Sequence, residues 1–289
     1  MGSGPLLSSA VNLSEGRRGE VIEAMAAAAR ESTAVLDVSA DPDHNRTVLT
    51  LCGPPSPLID GILAAAEVAA REIDLRSHEG VHPRLGAIDV VPLTPRRGAS
   101  IADADRAARE CARRLWSELS IPSFLYERSA RRPESVHLPV IRRAAFKTLL
   151  PDVGGPDPHA TAGAAVVGAR GPLVAFNVNL ATNDPAIAGA IAAEIRSGER
   201  ALPFVRSLGL RLKSRGVVQV SMNLTRPELC TVWEAYRRVE QLAAEMSVEV
   251  ESSELVGVLS RAELGTTEPH ELKLLKKPKL LDILWTDPD

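Results

Sequence analysis

Ala34-Val-Leu-Asp-Val38, Asp41-Pro-Asp-His-Asn45 and Thr47-Val-Leu-Thr-Leu51 read as strand, turn and strand, and the fold is decided by this hairpin. Branched and leucine side chains favour extended backbone on both sides, while the Asp/Pro/Asn cluster between them suits a chain reversal. Before the hairpin, Val21-Ile-Glu-Ala-Met-Ala-Ala-Ala-Ala29 is strongly helix-forming, with Asn12 or Ser14 as its expected cap. After it, Gly53-Pro-Pro-Ser-Pro57 breaks the chain, and a second helix is expected from Ile59 to about Ile73. Residues 5–12 and Ala87–Val91 complete the unit as outer strands, in the order β-α-β-β-α-β.

The second half repeats that order. Pro172–Leu180 reads as a strand, and Asp184-Pro opens a helix to Arg196. Leu208–Leu212 and Val217–Leu224 read as paired strands, and Arg226–Met246 as a long amphipathic helix. Val248-Glu-Val250 or Leu255–Leu259 closes the unit. The expected class is α+β, built from two tandem ferredoxin-like (βαββαβ) subdomains. Each has an antiparallel sheet with helices on one face, so the bare faces are expected to face each other. The expected division is residues 1–169 and 170–289. Within the first part, a helix from Ala102 to Leu119 capped by Ser100 precedes a strand at Ser123–Tyr126 and an irregular stretch to Gly163. From Arg96 to Thr148 there are 12 Lys and Arg against 6 Asp and Glu. That excess is either a solvated helix face or an attraction for an anionic small molecule. The basic amphipathic run Leu272-Lys-Leu-Leu-Lys-Lys-Pro-Lys-Leu-Leu281 is expected to pack on the surface or on a partner subunit.

The whole chain of 289 residues has a net charge of -3 and only 9 aromatic residues, which argues against a nucleic-acid partner. Cys52, Cys111 and Cys230 are scattered and form no CxxC, the pattern of reduced core cysteines in a cytosolic protein. The first residues lack the basic start of a signal peptide, and no apolar run reaches the ~18 residues that span a bilayer. A cytoplasmic protein without membrane partners is expected.

His78-Glu79-Gly80-Val81-His82 fits the HExxH pattern of zinc proteases, whose chemistry needs one continuous helix. Gly80 weakens a helix there and Pro83 pushes His82 toward extended backbone, so no metal is expected. His82 instead ends a loop entering the strand Ala87–Val91, where an imidazole suits proton transfer near neutral pH. The small residues Gly154, Gly155, Pro156, Asp157, Pro158, His159, Ala160, Thr161, Ala162 and Gly163 form either an interdomain linker or a loop whose amides approach a ligand. Asn177, Asn179 and Asn223 alternate with apolar residues in strands that usually avoid Asn, which points to a site or a buried polar network.

Several blocks, in order, closely resemble the formiminotransferase domain family. They include Val11-Asn-Leu-Ser-Glu-Gly16, Asp37-Val-Ser-Ala-Asp-Pro-Asp-His-Asn-Arg46 and Gly80-Val-His-Pro-Arg-Leu-Gly-Ala-Ile-Asp-Val90. Ala175-Phe-Asn-Val-Asn-Leu180, Gln219-Val-Ser-Met-Asn-Leu-Thr225 and Ser253-Glu-Leu-Val-Gly257 continue the match. The resemblance implies paired ferredoxin-like subdomains with folate in a groove between them. It implies formimidoyl transfer between N-formimidoyl-L-glutamate and tetrahydrofolate, a step of histidine degradation and one-carbon metabolism. It places the catalytic histidine on His82 and the folate-contacting loop on Gly154–Gly163. A homodimer is implied as well. For such polycarboxylate substrates, Arg46, Arg84 and Arg170 are candidates for carboxylate recognition. Asn12, Asn45 and Asn179 are candidates for orienting the amidine or the pterin. Two alternatives stay open: a related folate-dependent transferase with a different group or amine, and a folate-binding homologue without turnover. The sequence departs from the family after Leu125-Tyr126 and again from Ser260 to Asp289.

Overall fold

In the computed structural model, which describes residues 4–265 and 269–281, the hairpin forms as β2 (Ala34–Asp41) and β3 (Arg46–Gly53). Its turn is closed by Asp41, whose Oδ1 accepts the amides of Asp43 and His44 at 2.9 and 2.8 Å. Asn45 supplies the left-handed backbone that ends the reversal, with φ 47°. The outer strands β1 (Leu7–Leu13) and β4 (Ile88–Pro95) and the helices α1 (Gly19–Arg30) and α2 (Pro55–Glu72) complete the unit. Alternate residues Leu7, Val11 and Leu13 of β1 and Leu49 and Leu51 of β3 point to one face. There they meet Met25, Ala26 and Ala29 of α1 and Ile62, Ala65 and Ala69 of α2, small enough to let both helices lie close to the sheet.

The first sheet is larger than expected and is mixed rather than antiparallel. Helix α3 (Ile101–Leu119) leads to β5 (Ser123–Leu125), and β6 (Ala165–Ala169) inserts between β4 and β5, parallel to both. The strand order is β2-β3-β1-β4-β6-β5. Parallel neighbours need long crossovers, and α3 provides one of them. The stretch expected to be irregular also contains α4 (Leu138–Ala144). This helix covers the sheet face opposite α1 and α2, where Ile141 packs with Phe124, Tyr126, Val90 and Val166.

The compact first unit ends at Gly171 and the second begins at Pro172. In the second, β7 (Val174–Leu180), α5 (Pro185–Ser197), β8 (Val205–Leu212), β9 (Val217–Leu224), α6 (Val232–Glu245) and β10 (Val250–Val256) follow the expected order. They form an antiparallel sheet in the order β10-β7-β9-β8. Two unrelated stretches thus reach one ferredoxin-like arrangement, because each carries the same alternation of strand and helix patterns. After β10 come β11 (Val258–Leu259), α7 (Arg261–Leu264) and β12 (Lys279–Leu280), which pairs with β11. Leu272 and Leu280 of the tail are buried in the second core, so the basic run folds back on its own unit. The last part of the tail, residues 282–289, lies outside the described residues.

Two local expectations fail for physical reasons. Neither Asn12 nor Ser14 caps α1: Asn12 lies within β1, and Ser14 Oγ donates to Gly86 O at 2.7 Å. No side chain caps α1, whose N-cap residue is Arg18; Glu15 accepts the amides of Arg17 and Arg18 just before the helix, at 2.8 and 3.0 Å. Helix α6 begins at Val232 rather than Arg226, because Thr231 and Glu234 form a capping box there. Leu272→Ala tests the tail's anchoring. A fully buried leucine should cost about 2–5 kcal/mol in urea unfolding, whereas a loss below about 0.5 kcal/mol would show that the tail carries no load.

Candidate active site

The site is built around Asp89, whose carboxylate is fully buried where the register between β1 and β4 slips between Asn12 and Leu13. Oδ1 accepts the Leu85 amide at 2.6 Å. Oδ2 accepts two guanidinium groups, Arg46 Nη2 from β3 and Arg142 Nη2 from α4, each at 2.6 Å. Burial alone would raise this carboxyl's pKa, but the two guanidinium charges and the backbone bond outweigh it and hold it below the ordinary range. Burial lowers Arg46 to about 10 despite Asp89, which leaves it cationic at neutral pH. Asp89 is thus one anion between two cations, an ion cluster with one excess positive charge.

His82 is wired to this cluster. Pro83 O accepts both His82 Nδ1–H at 2.8 Å and Arg46 Nη2 at 3.1 Å. A carbonyl oxygen can only accept, so the proton sits on Nδ1 and the lone pair on Nε2. Burial, followed by the positive fields of Arg46 and Arg142, pushes the His82 pKa well below its ordinary 6.5. The ring is therefore neutral at pH 7. It stands edge-on to the His44 ring, with centroids 6.0 Å apart, and His44 Nδ1 lies 3.2 Å from Asp41 Oδ1.

The loop carrying His82 is held from several sides. Arg84 Nη2 donates to His44 O at 3.0 Å and to His82 O at 2.9 Å, and its Nη1 reaches Asn45 O and the His78 ring. Asn45 takes the Gly16 amide on Oδ1 at 2.9 Å and gives Nδ2 to Glu79 O at 2.8 Å. A side chain at Gly80 would come within 2.5 Å of His44 O, so glycine is needed for this close approach. The segment His78–His82 is not helical, and its two imidazoles turn to different partners, Arg84 and His44.

The small-residue loop packs along the same segment. Thr161 O accepts the Leu75 amide at 2.9 Å, Ala162 O accepts the Ala87 amide at 2.9 Å, and Leu85 O accepts the Ala164 amide at 3.1 Å. His159 Nδ1 accepts the amides of Thr161 and Ala162 and folds the loop on itself. Pro156, Asp157, Pro158 and Ala160 are exposed, whereas Ala162 is buried. Gly154 and Gly155 lie against the Trp116 ring.

The structure brings Asn12, Arg46, His82, Arg84, Asn45 and the Gly154–Gly163 loop into one neighbourhood, with most of their polar groups engaged within the protein. Asn12 Oδ1 accepts Arg46 Nη1 at 2.9 Å. Arg170 sits at the end of the first unit, its Nη1 on Gly171 O at 3.0 Å. Asn179 belongs to a network of the second unit, donating to Ser252 Oγ and accepting Gln219 Nε2, both at 3.0 Å. Arg106, Arg109, Arg113 and Arg114 of the basic stretch pair locally on α3, with Asp103, Asp105, Glu110 and Glu118. Cys52, Cys111 and Cys230 are buried thiols, and burial pushes Cys111 up to about 12. Asp89 and Arg142 were not legible as site residues. Asp89 stood inside a strand, and Arg142 was one of many arginines in an apparently irregular stretch.

Asp89→Asn keeps the shape but leaves two buried guanidinium groups without their counter-ion. We expect a loss of about 3–5 kcal/mol in denaturant unfolding; near-native stability would contradict the cluster's role. Gly80→Ala should lower activity by displacing the His82 loop while leaving unfolding cooperative, and unchanged turnover would show that the close approach is unimportant.

Comparison with known proteins shows the family. The N-terminal subdomain of the formiminotransferase domain matches residues 6–170, and the formiminotransferase domain matches residues 175–270. Glutamate formimidoyltransferase of Streptococcus pyogenes serotype M1 is 37% identical over 258 residues, covering 86% of each chain. The protein of the same name from Thermoplasma acidophilum is 37% identical over 276 residues and 91% of each chain. Formimidoyltransferase-cyclodeaminase of Rattus norvegicus is 36% identical over 265 residues, 86% of this chain and 49% of that one. The chain belongs to the formiminotransferase domain family.

Proposed function

We propose that the chain transfers a formimidoyl group between N-formimidoyl-L-glutamate and tetrahydrofolate, with His82 as general acid and base. The observation that carries this reading is the state of His82: neutral, with its lone pair on Nε2, on a loop held against the small-residue segment. The reaction needs such a group. An amine nitrogen of tetrahydrofolate attacks the amidine carbon, and the new C–N bond gives a tetrahedral intermediate with two competing amines. His82 Nε2 takes the proton from the attacking nitrogen and becomes an imidazolium. It then delivers that proton to the glutamate nitrogen as that C–N bond breaks and the C=N bond re-forms, which restores the neutral ring. Proton transfer by a placed imidazole is worth about 10²–10⁴-fold.

The field at His82 suits both halves of this cycle. Arg46 and Arg142 keep the resting ring unprotonated, and the carboxylate of Asp89 between them limits the cost of the transient imidazolium. The exposed residues Pro156 to Pro158 of the small-residue loop offer a surface for the folate. Among the described residues no helix is long and apolar enough to cross a membrane. The reading includes a cytoplasmic homodimer that acts in histidine degradation and needs no metal.

His82→Ala should lower kcat by about 10²–10⁴-fold in a protein whose circular dichroism matches wild type; near-native transfer would refute the role of His82. Because the His82 pKa is lowered and the base form is the neutral ring, kcat/KM should hold as pH falls to 6.5 and decline only below it. An acid limb centred at or above 6.5 would contradict the assignment. N-formyl-L-glutamate, tested beside the formimidoyl substrate, decides which group is carried.

A further inference from the structure

The Asp89 cluster has an asymmetry that the proton-transfer role of His82 leaves unused. Arg46 is tied down on three sides, by Asp89 Oδ2, Asn12 Oδ1 and Pro83 O. Arg142 donates to Asp89 Oδ2 through Nη2, while its Nε is buried with no hydrogen-bond partner. Its side chain is only 13% exposed. A buried charged donor without an acceptor is costly, and a guanidinium cannot relieve the cost by losing its proton. The cluster as a whole holds one carboxylate between two guanidinium groups, so it lacks one negative charge. A strand–helix core does not need an arginine here. An apolar side chain on α4 would cover Ile141's neighbours without either penalty.

The missing partner is an anion with a planar pair of acceptors, the shape a guanidinium binds best. Its position relative to the chemistry is set by a chain of contacts: His82 Nδ1 to Pro83 O, Pro83 O to Arg46 Nη2, Arg46 Nη2 to Asp89 Oδ2, and Asp89 Oδ2 to Arg142 Nη2. In an N-formimidoyl-α-amino acid the α-carboxylate is attached to the carbon that bears the reacting nitrogen. The side-chain carboxylate of glutamate lies two methylene groups further out. A carboxylate bound close to His82 while that ring serves the reacting nitrogen is therefore the α-carboxylate.

We propose that Arg142 binds the α-carboxylate of the amino-acid substrate and so restricts the reaction to N-formimidoyl derivatives of α-amino acids. This rests on the transferase reading above. Arg142 is thus a specificity-determining residue, and α4, which the ferredoxin-like core does not require, is present to deliver it.

The test compares two donors on the full chain with tetrahydrofolate: N-formimidoyl-L-glutamate, and N-formimidoyl-4-aminobutyrate, which keeps the distal carboxylate and lacks the α-carboxylate. Wild type should favour the glutamate compound by about 100-fold in kcat/KM. Arg142→Gln should collapse that preference to within about threefold, and the loss that both donors share reports the support Arg142 gives to Asp89 and His82. Arg142→Lys, which keeps a charge without the planar fork, should recover part of the preference. Equal losses on both donors would mean that Arg142 only supports Asp89, and would overturn the inference while leaving the transferase reading intact. So would an unchanged preference. Wild type that transfers from neither donor would refute the transferase reading, and this inference with it.

Discussion

Oδ2 of Asp89 accepts guanidinium groups from two elements that meet nowhere else in the sequence, β3 and α4, while Oδ1 holds the start of β4 through Leu85. With no solvent to screen them, these attractions are strong, and so is the cost of taking the charges out of water. The arrangement persists only because every partner is present together. Its consequences reach the chemistry: Arg46 passes from Asp89 to Pro83 O, and that carbonyl sets the tautomer of His82. The Pro83 carbonyl sets which nitrogen of His82 carries the lone pair, and Arg46 ties that carbonyl to the buried carboxylate. Asp89 also couples the β-hairpin, the His82 loop and the added helix into one unit.

Net charge explains how one place can hold a neutral base and attract anions. Two guanidinium groups against one carboxylate leave a positive field, which together with burial keeps a proton off His82, and on the proposed function the same field would draw a carboxylate substrate. An isolated surface arginine would do the second without the first. The chain as a whole is weakly acidic, so this field is local. Arg142 of the basic stretch between Arg96 and Thr148 contributes to it, whereas Arg106, Arg109, Arg113 and Arg114 of that stretch pair with neighbouring carboxylates along α3.

The fold was legible where a local pattern was sufficient. The Asp41–Asn45 turn between two branched strands gave the hairpin, and the alanine-rich and Asp-Pro helices gave the repeat of β-α-β-β-α-β. Parallel strand β6 was missed because Ala-Val-Val-Gly-Ala is short and its partners β4 and β5 are distant in sequence, so only tertiary pairing defines it. The start of α6 was misplaced by six residues that share its composition but precede the Thr231 cap. His82 and the small-residue loop drew notice from position and composition, and their expected roles came from the family resemblance. Asp89 and Arg142 did not, since burial of a charge depends on partners that no spacing rule reveals. The roles first expected of Arg46, Arg84 and Asn45 shift for the same reason: their donors and acceptors are engaged by backbone and by Asp89.

The account's central claim is that the Asp89 cluster leaves His82 as a neutral imidazole with its proton on Nδ1. Nitrogen-15 NMR of the histidine side chains in the full chain, with His82→Gln to assign the signal, observes both properties at once. The account predicts a neutral ring protonated at Nδ1 at pH 6.5, with protonation only at lower pH. A His82 ring half protonated at pH 6.5 or above, or one carrying its proton on Nε2, would contradict it.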